Sequence, residues 1–129
     1  MDLEQARIFF ENDIFVKEVG IKIDKAKGGE AVCSLSLETW HCNAAGAIQG
    51  GAIYTLADFT FAVAANCFDK ITYTLSSNIQ YIKKATSGTL YAKSVLTKQS
   101  KRICFYNTEV TDDKNELIAN VQTVGYIAE

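Results

Sequence analysis

The amino-acid sequence predicts an α+β fold in which one antiparallel sheet of about six strands curls around a single long helix. Three features lead there. An apolar stretch, AIYTLADFTFAVAANCF, runs without a break through the middle of a chain that has no proline. Two segments that alternate apolar and polar residues precede it. Four segments rich in β-branched and aromatic residues follow it, separated by short turns.

The central stretch, from about Gly51 to Cys67, is mostly alanine and long apolar side chains and is opened by a glycine pair. It reads as one helix of ~17 residues, ~25 Å long. Thr55, Asp58, Thr60, Asn66 and the Tyr54 hydroxyl are its only polar interruptions. A helix apolar on nearly all sides has to be wrapped by something. A membrane is excluded because the stretch is short, carries Asp58 near its middle and lacks flanking basic anchors.

Before the helix, Leu3, Ala6, Arg7, Phe9 and Phe10 have near-helical spacing over residues 3–11, and Asn12-Asp13 caps a second short turn through Lys17. Together these predict a small helical lid. Val19, Ile21 and Ile23 alternate with polar residues as a half-buried strand, Lys27 to Glu30 turns the chain, and Ala31, Cys33, Leu35 and Leu37 form the second strand of a hairpin. After the helix come strands over Ile71–Ile82, Leu90–Thr97, Ile103–Thr111 and Leu117–Ile127. The turns between them lie at Thr86-Ser87-Gly88, Lys98–Lys101 and Asp112–Asn115. Their short connections predict a four-strand antiparallel meander. One sheet cannot enclose the helix fully, so an exposed flank and an open strand edge call for a second copy of the chain.

The 129 residues make one domain with a core of ordinary size, 48 % of them hydrophobic. A net charge of −2 gives no basic field for nucleic acid or an acidic membrane surface. The opening MDLEQARIFF has no secretion-signal pattern. Cys33, Cys42, Cys67 and Cys104 are scattered without a C-x-x-C pair, as small buried hydrophobes of a reducing cytoplasm would be. His41 beside Cys42 is poor metal spacing and no catalytic pair, so no metal site is expected and His41 is assigned no catalytic role.

The segment His41-x-Asn43-x-x-Gly46-x-x-Gln49-Gly50-Gly51, followed by Leu56-Ala57-Asp58, resembles the active-site segment of hotdog-fold thioesterases of the phenylacetate-pathway (PaaI-like) type. Ser77 to Ala85, with Tyr81 and Lys83-Lys84, resembles the strand in which that family carries an aromatic and a basic residue. The resemblance covers nearly the whole chain and implies a single hotdog thioesterase domain over residues 1–129. It implies hydrolysis of acyl-CoA thioesters with no cofactor beyond the coenzyme A of the substrate, and a homodimer that pairs into a tetramer. Asn43 matches the family's loop asparagine, which fixes the thioester carbonyl or the water. Thr74 stands where related enzymes carry a hydroxyl that bonds the water. Gln49 departs from the family, which has histidine there; glutamine can hydrogen-bond but cannot titrate near neutral pH.

The residues also argue for themselves. Gly50 and Gly51 open the helix, where backbone N–H groups lack intrahelical partners and the dipole is positive, a setting suited to an oxyanion. A plain tight turn into a helix would use the same pair. Asp58 in an apolar helix is expensive unless bonded or needed; burial raises its pKa and fits it to act as a base for water or as a nucleophile. A carboxylate bonded to a neighbouring strand is the alternative. Asp58 lies seven residues beyond Gly51, on the same face but ~10 Å along the axis. Both cannot reach one carbonyl from a single chain, so a shared site needs Gly50 of one subunit and Asp58 of another. Lys83, Lys84 and Arg102 are candidates for the phosphates of coenzyme A, although basic pairs at turns are usually surface. Phe59, Tyr54 and Phe61 are candidates for an acyl channel, with Gly51 admitting the ligand. Three other functions compete with hydrolysis: an acyl-CoA-binding protein that has lost its chemistry with Gln49, a dehydratase, which would want a histidine beside the acid, and another α+β binder.

Overall fold

The computed structural model describes residues 1–128. A capping box opens the first helix, α1 (Leu3–Phe10): the Asp2 carboxylate accepts from Gln5 N–H and the Gln5 side chain accepts from Asp2 N–H. Asp13 caps α2 (Ile14–Val19), which stops at Gly20, whose φ of 99° is open to glycine at no steric cost. Val19 therefore ends a helix, where sequence periodicity expected it to begin a strand. Arg7 locks α1 down by donating from Nε and Nη2 to the Ile23 carbonyl, at 3.1 and 2.8 Å.

The strands β1 (Ile21–Lys27) and β2 (Glu30–Ser36) form the expected hairpin. The central helix α3 covers Gly50–Asn66, and β3 (Thr72–Tyr81), β4 (Thr89–Gln99), β5 (Ile103–Thr111) and β6 (Leu117–Ile127) follow. All six belong to one antiparallel sheet in the order β1-β2-β4-β5-β6-β3.

This order corrects the expected meander. β4, β5 and β6 follow one another, but β3 lies on the far side of β6 and β4 pairs with β2. Residues 82–88 make the crossing. Ile82 and Lys83 N–H groups bond the Ile118 carbonyl, Ala85 O accepts from Ile48 N–H, and Gly88 O accepts from Leu37 N–H. Seven extended residues reach ~23 Å, whereas three strand spacings need only ~14 Å, so a short connection does not dictate a neighbour.

The sheet packs its inner face on α3. Ala31, Cys33, Leu90, Ala92, Cys104, Val110, Ala119 and Val121 are all buried there against Leu56, Phe61, Val63 and Ala64. Small side chains let the helix sit close. Gly125 is the extreme case: a Cβ there would lie 2.7 Å from Cys104 Sγ and 2.9 Å from Phe61 Cζ. Two buried hydroxyls pair across the sheet, Thr108 donating to Ser94 at 2.9 Å.

Wrapping is incomplete in one direction. Gly51, Tyr54, Thr55, Asp58 and Ala62, at helical spacing, form a stripe that is not closed over. Beside it runs β3, an edge strand whose Tyr73 and Leu75 are 60 % and 58 % exposed. β3 also carries an irregularity: Thr74 pairs with Gly125 and Ser76 with Val124, so Leu75 is an extra residue. The bulge puts both Thr74 and Tyr81 on the inner face, opposite Gly125 and Ala119, although strict alternation over their odd spacing would have separated them.

Candidate active site

Most polar groups of α3 are satisfied by the helix itself. Thr55, Thr60 and Asn66 each donate to the carbonyl four residues back. Asp58 has no such partner. Its Oδ1 accepts from Thr74 Oγ1 of β3 at 3.1 Å. Burial pushes the Asp58 carboxyl above its ordinary pKa, the Thr74 hydrogen bond pulls it back, and the nearby negative charge of Asp13 pushes it up further. Tyr54, Thr55, Phe59 and Ala62 surround it in a cavity of about 190 Å³ closed on one side by Asp13, Phe15 and Val16 of the lid. The structure thus brings Asp58 together with Thr74, Tyr54 and Phe59.

Phe59 is the floor of this cavity, held edge-on by Phe10 with ring centroids 5.3 Å apart. Phe61 does not join it. That ring is 1 % exposed and packs edge-on against Tyr106 at 5.1 Å, so it belongs to the core and not to a channel.

The second cluster lies at the N-terminus of α3, at the end of a loop pinned from behind. His41, 3 % exposed, accepts from Glu38 N–H at Nδ1, so its Nε2–H donates to the Val19 carbonyl at 2.8 Å. Both ring nitrogens are used structurally. Asn43 holds the next turn, its Oδ1 accepting from Ala45 and Ala47 N–H at 2.9 and 3.1 Å. That leaves its amide NH₂ to donate elsewhere. Gln49 is the N-cap, but its side chain caps nothing; its carbonyl accepts from Ala52 and Ile53 N–H and its own N–H donates to His41 O.

Among the described residues the Gly50 and Gly51 N–H groups have no hydrogen-bond partner. Gly50 is crowded by Tyr81, whose hydroxyl donates to the Gly50 carbonyl at 2.9 Å. Gly51 has open space above it, with nothing within 4 Å of an added Cβ. Asn43, Ala47, Ile48, Gly50, Ile53, Tyr81, Lys83 and Lys84 line a cavity of about 270 Å³ here. Lys83 pairs with Glu116 on the surface. Arg102 is not part of this cluster; it lies beside Ile127, at the opposite end of β6 from Lys83.

Within one chain, then, Gly50 and the Asp58 carboxylate line two separate cavities. Sequence reasoning missed Tyr81 as a partner of Gly50 and Asp13 as a neighbour of Asp58. The first has no local signal, since a tyrosine in a strand looks like any other; the second was legible only as a helix cap. Among the described residues no three His, Cys, Asp or Glu side chains converge as a metal-binding group, and no helix is long and apolar enough to cross a membrane.

Residues 45–119, which include the glycine pair, Asp58, Thr74 and Tyr81, match the family model of the thioesterase superfamily. The chain belongs to the thioesterase superfamily. Similarity to individual thioesterases is spread along the chain. An Archaeoglobus fulgidus protein named only provisionally as an esterase is 32 % identical over 111 residues, 85 % of this chain and 72 % of that one. The acyl-coenzyme A thioesterase PaaI of Escherichia coli is 26 % identical over 117 residues, 90 % and 84 % of the two chains. The solved structure of the E. coli PaaI protein superposes with a TM-score of 0.93 at 24 % identity, covering 98 % of this chain and 92 % of that one. The sheet wrapped on a long helix is the hotdog fold of that superfamily.

Proposed function

We propose that this chain is an acyl-CoA thioesterase, one hotdog domain over residues 1–129, that works as a dimer with its sites shared between subunits. The observation that carries the reading is Asp58, a half-buried carboxylate with a raised pKa, held by Thr74 on the one stripe of α3 left open. The unpaired Gly50 and Gly51 amides, two turns away, supply the complementary half. The similarity to an acyl-coenzyme A thioesterase in E. coli supplies the substrate class.

In this reading the thioester carbonyl oxygen sits at the Gly50 N–H, steadied by the Asn43 amide, while Gly51 leaves room for it. The ionised Asp58 of the other subunit attacks the acyl carbon directly or removes a proton from the water that does, with Thr74 orienting the water. Negative charge moves onto the carbonyl oxygen, where the helix N-terminus stabilises it; collapse then expels the coenzyme A thiolate, which takes up the proton given up by water. On the direct route a water then cleaves the Asp58–acyl anhydride, releasing the free acid and restoring the carboxylate. Gln49 contributes its backbone, through the helix bonds its carbonyl accepts, and no titrating group is needed at that position. The acyl group lies along Tyr54 and Phe59. Lys83 and Lys84, in the cavity of Gly50, face the phosphates of coenzyme A, and Arg102 would reach them only from another subunit.

The unpaired β3 edge, with exposed Ile71, Tyr73, Leu75 and Ile82, supports the dimer. Tyr91, Val95 and Phe105, exposed on the outer face of β4 and β5, suit the pairing of two dimers. Buried thiols, Cys33 pushed up to about 12 by burial among them, suit a cytoplasmic protein.

Thiol release from short, long and aryl acyl-CoAs by wild type and Asp58→Asn tests the reading. Loss of a general base or nucleophile should lower kcat by ~10²–10⁴-fold with binding retained. Equal rates in the two proteins, or tight acyl-CoA binding without release in either, would sink it. Single turnover in heavy-oxygen water separates the two routes, because only direct attack by Asp58 leaves label in its carboxyl group.

A further inference from the structure

We propose that Tyr81 is a positioning residue for the oxyanion site: through the Gly50 carbonyl it aims and strengthens the Gly51 N–H as a second donor beside that of Gly50. This rests on the thioesterase reading above.

The two glycines are small for different reasons. A Cβ on Gly50 would lie 3.0 Å from Tyr81 Oη, 3.1 Å from Cζ and 3.3 Å from Cε1, so residue 50 is glycine to admit this ring. Nothing in the chain crowds residue 51. The open space above Gly51 is where a thioester oxygen could approach its amide.

The peptide units explain how that amide is held. Gly50 N–H belongs to the Gln49–Gly50 peptide, whose oxygen accepts from Ala52 and Ile53 N–H at 3.0 and 3.2 Å. Gly51 N–H belongs to the Gly50–Gly51 peptide, whose oxygen accepts from Tyr81 Oη at 2.9 Å. Each planar unit is therefore pinned at its carbonyl end and presents its N–H freely. A hydrogen bond to a peptide oxygen also polarises the unit and makes its N–H a better donor. Helix geometry fixes both peptides, and the second has an extra anchor from a different strand. Glycine at both positions gives this turn the least conformational restraint of any residue, which is why an external anchor matters here.

The β3 bulge delivers that anchor. With Leu75 extra, Tyr81 faces the helix on the same side as Thr74, so one edge strand holds the carboxylate at one end and the amides at the other.

The test compares wild type with Tyr81→Phe, which keeps the ring and removes only the hydroxyl. Three readouts are used: acyl-CoA hydrolysis, thermal unfolding, and amide correlation spectra of isotope-labelled protein. The expected result is a kcat lower by about tenfold with KM nearly unchanged. That is less than the ~10²–10³-fold cost of deleting a donor, because the amide stays and only its aim relaxes. The largest amide shift change should fall on Gly51, and thermal unfolding should stay close to wild type. An active enzyme whose kcat is unmoved by Tyr81→Phe overturns this assignment alone. So does an unmoved Gly51 resonance, or a loss confined to KM. A wild-type protein inactive on every thioester overturns the thioesterase reading and this assignment with it.

Discussion

The two walls of α3 are built on opposite terms. Its closed wall, with Leu56, Phe61, Val63 and Ala64, is pressed into a sheet face where leucine and valine alternate with alanine, cysteine, threonine and one obligatory glycine. Thr60 there is bonded within its own helix and Thr108 to the neighbouring Ser94 hydroxyl. Its open wall carries an acid that burial disfavours and, at its start, two amides without partners. The closed wall stabilises the molecule. The open wall gives some of that stability up, which is what groups reserved for a substrate are expected to do.

The sharpest way to break the contrast is to weaken each wall and read stability. Phe61→Ala leaves a void between Phe61's neighbours Tyr106 and Gly125 and should cost ~3–5 kcal/mol in urea unfolding. A loss below about 1 kcal/mol would mean the closed wall is not the stabilising one.

Asp58→Asn should do the reverse and raise stability at neutral pH, since an amide keeps the Thr74 bond without a buried charge. The folded-state pKa lies above the unfolded one, so between the two the folded protein binds more protons and stability falls as pH rises through that window. The penalty is complete above the raised value and gone below the unfolded value of ~3.9. The gain from Asp58→Asn should therefore shrink as pH is lowered through the window; a gain that is the same at all pH values would remove the desolvation argument.

The smallest effect is expected outside both walls. Lys83 is exposed and paired with Glu116, so Lys83→Ala should leave stability almost unchanged. Acyl-CoA hydrolysis should show a raised KM at unchanged kcat, the signature of a lost phosphate contact. An unaltered KM would return Lys83 to the plain surface.

Much of this was legible because local patterns are strong where one face is buried. β5 and β6 run between the very residues that alternation marked, and α3 is offset from its expected span by one residue at each end. Asp58 stood out because a carboxylate does not belong in such a stretch. The sheet order was hidden, since the length of a loop limits how far it reaches and not where it lands. Val19 was misplaced because a valine one residue before a left-handed glycine closes a helix as readily as it opens a strand. The contact of Tyr81 with Gly50 was hidden for a deeper reason. It depends on a break in alternation at Leu75 that no turn residue announces.

That break has an arithmetic side. From Thr74 to Tyr81 β3 takes seven steps (81 − 74), while β6 takes six from Gly125 to Ala119 (125 − 119). The longer strand reaches both ends of the site only by spending one residue sideways. Trimming one residue from it would bring the two strands into step with Thr74 and Tyr81 still turned inward, whereas adding one would force a second detour. In evolution or in the laboratory, this edge has room to lose length and none to gain it.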